Sequence, residues 1–142
     1  MQNPDLRDQK EMQNIDELET VLYAGNLLLS SGAEIYRAEE TMSRIAESMN
    51  IKDLDAYVTN RGIFASGNVP GKGIETRIMS VPDKELNIDK IEAVNELSRE
   101  VCRNCTDLGY LRNALQKIAD MGEQRVSERI LSYFLGAGCF SY

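Results

Sequence analysis

Three observations predict an α+β fold. Helical spacing of apolar residues occupies both ends of the chain, two-residue alternation occupies the middle, and the candidate strands follow one another without helices between them. The expected architecture is an antiparallel helix hairpin, a three-stranded antiparallel meander, and then C-terminal helices, the last entering a membrane span.

Residues 1–13 form a polar lead-in with Pro4 and little periodicity, expected to be flexible. A helix is predicted from Ile15 to Leu29, where Ile15, Leu18, Val21, Leu22, Gly25, Leu28 and Leu29 recur at three- and four-residue steps. Ala24 and Gly25 are small enough to let another helix approach. The spacing Ser31-Gly32-Ala33-Glu34 reads as a capping box, with Ser31 as N-cap and Glu34 reaching back to its N–H. The second helix then runs to about Asn50. At 100° per residue, Ile35, Ala38, Met42, Ile45, Ala46 and Met49 gather on one side, and Arg37, Glu40, Arg44 and Glu47 on the other.

The period changes at Asp55. A strand through Tyr57, Val58 and Thr59 turns at Asn60-Arg61-Gly62 into Ile63-Phe64-Ala65-Ser66. A loop over 67–73 leads to a third strand from Ile74 to Val81. In that strand Ile74, Thr76, Ile78 and Ser80 share one face and Glu75 and Arg77 the other, so one face of the sheet is expected to be wet or partly polar. Asn87 is placed to cap a helix through Ile88, Ile91, Val94, Leu97 and Val101. Thr106 is placed to cap another through Leu108, Leu111, Leu115 and Ile118, ending near Gly122.

Composition removes several function classes. The 142 residues contain no histidine, which excludes a Ser-His-Asp triad, a Cys-His pair and any His-ligated zinc. A net charge of -7 argues against a nucleic-acid partner, which would need clustered cations. Three cysteines, an odd number, fit a reducing compartment. Cys102 and Cys105 form a lone CxxC at the C-terminal end of a predicted helix, the wrong end to activate a thiol. Pro70-Gly71-Lys72-Gly73 fails as a phosphate loop, because Lys72 is not followed by Ser or Thr and a strand follows instead of a helix. No cofactor, metal or catalytic residue is expected.

Residues 130–142 carry no charge, and Arg125 and Arg129 stand just before them. Those 13 positions are fewer than the ~20 a spanning helix needs. Cations at the cytoplasmic flank and the small residues Gly136, Ala137 and Gly138 nevertheless have the texture of a membrane helix. The expected division is a lead-in over 1–13, a cytoplasmic α+β domain over 14–124, and the start of a first, truncated transmembrane helix over 125–142. A C-terminal helix packed on the soluble core is the plainer alternative.

The block Leu28-Leu29-Ser30-Ser31-Gly32-Ala33-Glu34-Ile35-Tyr36-Arg37-Ala38-Glu39-Glu40-Thr41-Met42 resembles the signature helix of the threonine/serine exporter family (ThrE/YjjP type). Tyr57 to Ser66, Thr76-Arg77-Ile78, and Val94 to Arg99 are similar to its following blocks, in order. The resemblance implies a membrane exporter of small amino acids or dicarboxylates, in the inner (plasma) membrane. Its partners would be the remainder of its own chain or a second membrane subunit; apart from the resemblance, the small-residue patches hint at a homo-oligomer. This domain would lie on the cytoplasmic side. Asn60-Arg61 departs from the family, which commonly has Pro near that turn.

The residues singled out for function are Glu34, Arg37, Glu39, Thr59, Arg61 and Arg77. Arg37 and Glu39 are two positions apart on a helix and cannot face one another. Glu39 falls at the margin of the apolar face, where an unpaired carboxylate is costly. A polar cluster between the second helix and the sheet is therefore expected, as a structural tie or as a ligand site. A stand-alone domain that binds a small ligand and regulates a membrane partner is the alternative function. Hydrolysis by a carboxylate-assisted Ser or Thr is a weaker one.

Overall fold

The computed structural model describes residues 16–104 and 107–121. Its elements are α1 (Glu17–Ser30), α2 (Ile35–Ser48), β1 (Lys52–Val58), β2 (Gly62–Val69), β3 (Gly73–Ser80), α3 (Ile88–Asn104) and α4 (Leu108–Asp120). The strands form one antiparallel sheet in the order β1-β2-β3, so the α+β meander stands as expected. Both the lead-in over 1–13 and the membrane segment over 125–142 lie outside the described residues. Among those residues no helix is long and apolar enough to cross a membrane.

Helix α1 is the centre of the molecule. Leu18, Val21, Leu22, Ala24, Leu27, Leu28 and Leu29 are buried, and so are Thr20 and Gly25, so burial surrounds most of the helix instead of following one stripe. A helix apolar on nearly all sides must be covered on nearly all sides. Sheet strands β2 and β3 cover α1 from one direction, and α2, α3 and α4 from the others. Gly25, five residues before the end of α1, meets Met42, seven residues after the start of α2, the pattern of an antiparallel hairpin. A Cβ at Gly25 would stand 2.4 Å from Met42 Sδ.

The connection corrects the expected capping box. Ser31 is the C-cap of α1, and Gly32 follows with φ +95°. The Gly32 N–H donates to Leu29 O (3.1 Å) and the Ala33 N–H to Leu28 O (2.9 Å), which is a Schellman termination. Glu34 is the N-cap of α2, and its side chain makes no capping bond. A glycine two residues before Glu34 favours ending the first helix over starting the second. The same device ends α2, with Asn50 at φ 59° and the Ile51 N–H donating to Ala46 O (2.9 Å).

The strands run longer than alternation indicates. β1 begins at Lys52, with a bulge between Lys52 and Asp55, and β2 continues through Val69. The predicted 67–73 loop therefore shrinks to Pro70-Gly71-Lys72. There the Lys72 N–H donates to Val69 O (3.0 Å) and Gly71 takes φ +77°, a type II turn with Pro and Gly in their favoured places. Residues 82–87 then cross the end of α1. The Glu85 and Asn87 N–H groups donate to Ser30 O and Ser31 O, and Leu86 lies over Gly32. Asn87 caps α3 as expected, accepting from the Lys90 N–H (3.1 Å). The cap of α4 is Asp107, which accepts from the Tyr110 N–H (2.7 Å), and not Thr106.

Candidate functional site

The six singled-out residues do not gather at one place. Glu34 and Arg37 are exposed on the first turn of α2, where the Arg37 Nε–H donates to the Tyr36 hydroxyl (3.4 Å). That hydroxyl favours the charged guanidinium and raises its pKa. Glu39 is half-buried, as the helical wheel requires, but makes no hydrogen bond or ion pair among the described residues. Thr59 closes the β1–β2 turn. Its hydroxyl donates to Gly62 O (3.0 Å) and accepts from the Gly62 and Arg61 N–H groups. Arg61 contributes its carbonyl, which accepts from the Val81 N–H (2.9 Å), while its side chain is exposed.

Arg77 reaches α1 instead of α2. Its guanidinium donates to Asp16 Oδ2, to Glu75 Oε2 (3.4 Å) and to Thr76 O (3.0 Å). Lys72 Nζ pairs with Glu17 Oε2 (3.0 Å) alongside. Asp16 is the N-cap of α1 and accepts from the Glu19 N–H through its other oxygen (2.8 Å). Burial pushes the Asp16 carboxyl up, but the Glu19 N–H and the Arg77 guanidinium outweigh it and hold the pKa below the usual carboxylate range. Glu17 is lowered in the same way: burial raises it, while backbone hydrogen bonding and Lys72 prevail. This cluster fastens the β2–β3 hairpin to the start of the central helix, which is a structural tie to a different helix from the one expected.

A second polar seam joins α2 to α3. The Thr41 hydroxyl donates to Asn95 Oδ1 (3.2 Å), and Arg44 donates to Ser98 Oγ (3.0 Å) and to Glu40 Oε1 (3.3 Å). Ser98 in turn donates to Asn95 O (2.7 Å), and the Cys102 thiol donates to Arg44 O (3.3 Å). Helical spacing places Arg44 on the polar side of the second helix. Its bond to buried Ser98 makes it an interhelical contact instead.

Three shallow depressions lie along the outward side of α3, and Glu96 lines each of them. One, of about 530 Å³, is bordered by Arg44, Arg99 and Arg103 with Glu96 and Cys102. Arg103 pairs with Glu96 at 3.5 Å, but both side chains are largely exposed, so the pair contributes little. The Arg99 guanidinium has no partner among the described residues. Guanidinium groups beside a carboxylate offer forked donors to an anionic group and an acceptor to a cationic one. No group of His, Cys, Asp or Glu among the described residues is placed to hold a metal ion.

A model of the ThrE family, described as threonine/serine exporters, matches residues 19–142. The chain belongs to the threonine/serine exporter family. No match was found among curated proteins or among solved structures. The matched range takes in the α+β body from the first turn of α1 onward as well as residues 122–142. In this member of the exporter family Glu34–Met42, the end of the first block, forms the first half of α2, and the Val94–Arg99 block is the part of α3 bonded to it through Thr41–Asn95, with Arg44–Ser98 extending the contact along α2. Two of the blocks that carry the resemblance thus form one interhelical seam.

Proposed function

We propose that residues 14–124 are the cytoplasmic N-terminal domain of an inner-membrane exporter of small amino acids, threonine and serine foremost, or of dicarboxylates. Residues 125–142 then begin its first transmembrane helix. The remainder of its own chain, or a second membrane subunit, supplies the pathway. The observation that carries this reading is a family match that continues without interruption from the α+β body through the uncharged stretch 130–142. Arg125 and Arg129 support the orientation, since cations favour the cytoplasmic flank.

Two measurements on the full-length protein test it. Cells lacking the protein, loaded with a threonine-containing dipeptide, are expected to retain several-fold more threonine than cells expressing it. Asp83→Cys, at an exposed position before α3, is expected to react with a membrane-impermeant maleimide only after permeabilisation. Equal retention would overturn export of threonine, and labelling of intact cells would overturn the orientation.

A regulatory reading is favoured by the depression at Arg44, Glu96, Arg99 and Arg103, whose paired charges suit a zwitterionic amino acid. In an NMR titration with threonine, shifts are expected to concentrate at Glu96 and Arg99. Arg99→Ala should abolish them with an unchanged melting temperature, because that side chain holds nothing else. Shifts spread over the whole surface, or none at millimolar threonine, would remove this reading.

A further inference from the structure

The outer face of the sheet has the opposite polarity from a solvated one. Tyr57, Phe64 and Ile78 lie in one cross-strand row, since Tyr57 pairs with Phe64 and Phe64 with Ile78. They are 72%, 47% and 67% exposed, and Ile74 farther along β3 is 79% exposed. The charges of β3 point the other way: Glu75 and Arg77 face the helices, where Arg77 meets Asp16. A strand that turns its charges inward and its isoleucines outward is patterned for a second surface. No helix of the described residues covers that face, because α1 and α2 pack on the other side and α3 and α4 lie beyond them.

We infer that this face is the interface with a second copy of the chain, packed sheet on sheet about a two-fold axis parallel to the strands and passing over β2. The register makes the face self-complementary about that axis. Phe64 meets its own counterpart, and Tyr57 meets Ile78 of the other copy. One row along, Asp55 pairs with Ser66 and Ser66 with Thr76 within the sheet. The same rotation sets the Asp55 carboxylate against the Thr76 hydroxyl, and Ser66 against itself. The third row sets the apolar stem of Lys52 over Ile74. Two chains of net charge -7 repel, and in the paired rows of this face the acidic group is Asp55, which never stands opposite itself.

The area also suffices. Four side chains of this size with these exposures present on the order of 500 Å² per copy. Two copies, with the Ser, Thr and Asn positions between them, reach the ~1,200 Å² at which specific interfaces begin. The stacked sheets would stand ~10 Å apart, as in a sandwich. An anionic membrane fits less well, because Lys52 is the one cation within the paired rows of the face.

Cysteine cross-linking of the full-length protein in its native membrane tests the axis. In a background with Cys102, Cys105 and Cys139 replaced by Ser, Phe64→Cys is expected to give a species of twice the mass with a short bis-methanethiosulfonate cross-linker, because positions on sheets ~10 Å apart lie beyond direct disulfide reach. Ser66→Cys, a change of one atom, should do the same and guards against a folding defect at Phe64. Tyr57→Cys alone should stay monomeric, but should link when co-expressed with Ile78→Cys. Glu92→Cys, exposed on α3, should not link. The inference fails if neither Phe64→Cys nor Ser66→Cys links above the Glu92→Cys level, or if the product contains a polypeptide of different mass. It fails equally if Tyr57→Cys links to itself as readily as Phe64→Cys. None of these readouts depends on what the protein transports.

Discussion

Replacing Gly25 with Leu is expected to remove at least ~3 kcal/mol of stability, enough to leave a domain of ordinary marginal stability largely unfolded in mild denaturant. Gly25 sits where α1 crosses α2 and the sheet together. A Cβ there stands 2.4 Å from Met42 Sδ, 2.9 Å from Met42 Cγ and 3.2 Å from Ile63 Cδ1. Met42 is flexible, but it is fully buried, and so is Ile63, so neither has free space to enter. Two effects oppose each other in Gly25→Ala. Helix propensity favours Ala by ~1 kcal/mol, while overpacking costs ~1–3 kcal/mol. A small net loss is expected there, and the larger loss only with Leu. Urea unfolding of the 142-residue chain measures both. Adding Met42→Ala to Gly25→Leu should recover part of the loss, because it empties the space that the new side chain needs. A midpoint unmoved by Gly25→Leu would mean that the helices are not in contact at this point.

Much of that packing is legible in the sequence, and the reason is periodicity. The apolar spacing of Ala38, Met42, Ile45 and Ala46 marks the buried face of α2, and the small pair Ala24-Gly25 marks the close approach. What periodicity misses is polar residues on an apolar arc. Thr41 and Ser98 occupy positions adjoining Ile45 and Val94 on the helical wheel, and both are buried. A hydroxyl at such a position signals a hydrogen-bond partner on the facing helix, here Asn95 and Arg44. Capping rules fail for a related reason. Ser31 and Glu34 have the spacing of a capping box, but so do Asp16 and Glu19, and only Asp16 caps a helix. The glycine at position 32 decides between them, because a residue at φ +95° ends a helix.

The sheet shows a second limit. Alternation identifies which residues of β3 share a face and is silent about which face meets the helices. Apolar burial alone would turn Ile74 and Ile78 inward. The register instead pairs buried Ile63 and Ala65 with Met79 and Arg77, which commits Ile78 to the outside. Arg77 can lie inward because it sits on an edge strand, within reach of Asp16 at the start of α1. That partner is 61 residues away in the sequence, too far for any local spacing rule to find. The expected cluster with Glu39 and Thr59 does not form for the same reason: the strand pairing carries Arg77 to α1, and the Thr59 hydroxyl is engaged by its own turn.

Charge reversal at that tie, Asp16→Arg, is expected to lower stability by ~2–3 kcal/mol at neutral pH. Loss of the N-cap contributes ~1 kcal/mol. Loss of the ion pair contributes ~1 kcal/mol, a value kept small because the Arg77 side chain is about a third exposed. A cation beside the helix N-terminus adds ~0.5 kcal/mol. Asp16→Asn separates these effects, since Asn also caps well and only the charge is lost, for ~1 kcal/mol. The pH dependence has a definite sign. The folded pKa of Asp16 lies below its unfolded value of about 3.9, so the carboxylate stabilises the fold above that pH and ceases to as pH falls through the folded value. Glu17, lowered by Lys72 and backbone hydrogen bonding, acts in the same direction. The difference between the unaltered chain and Asp16→Asn should therefore be constant from pH 6 to 8 and shrink below about pH 4. A difference that persists undiminished at pH 2.5 would mean that Asp16 acts through shape alone, and that the hairpin is not held to α1 by charge.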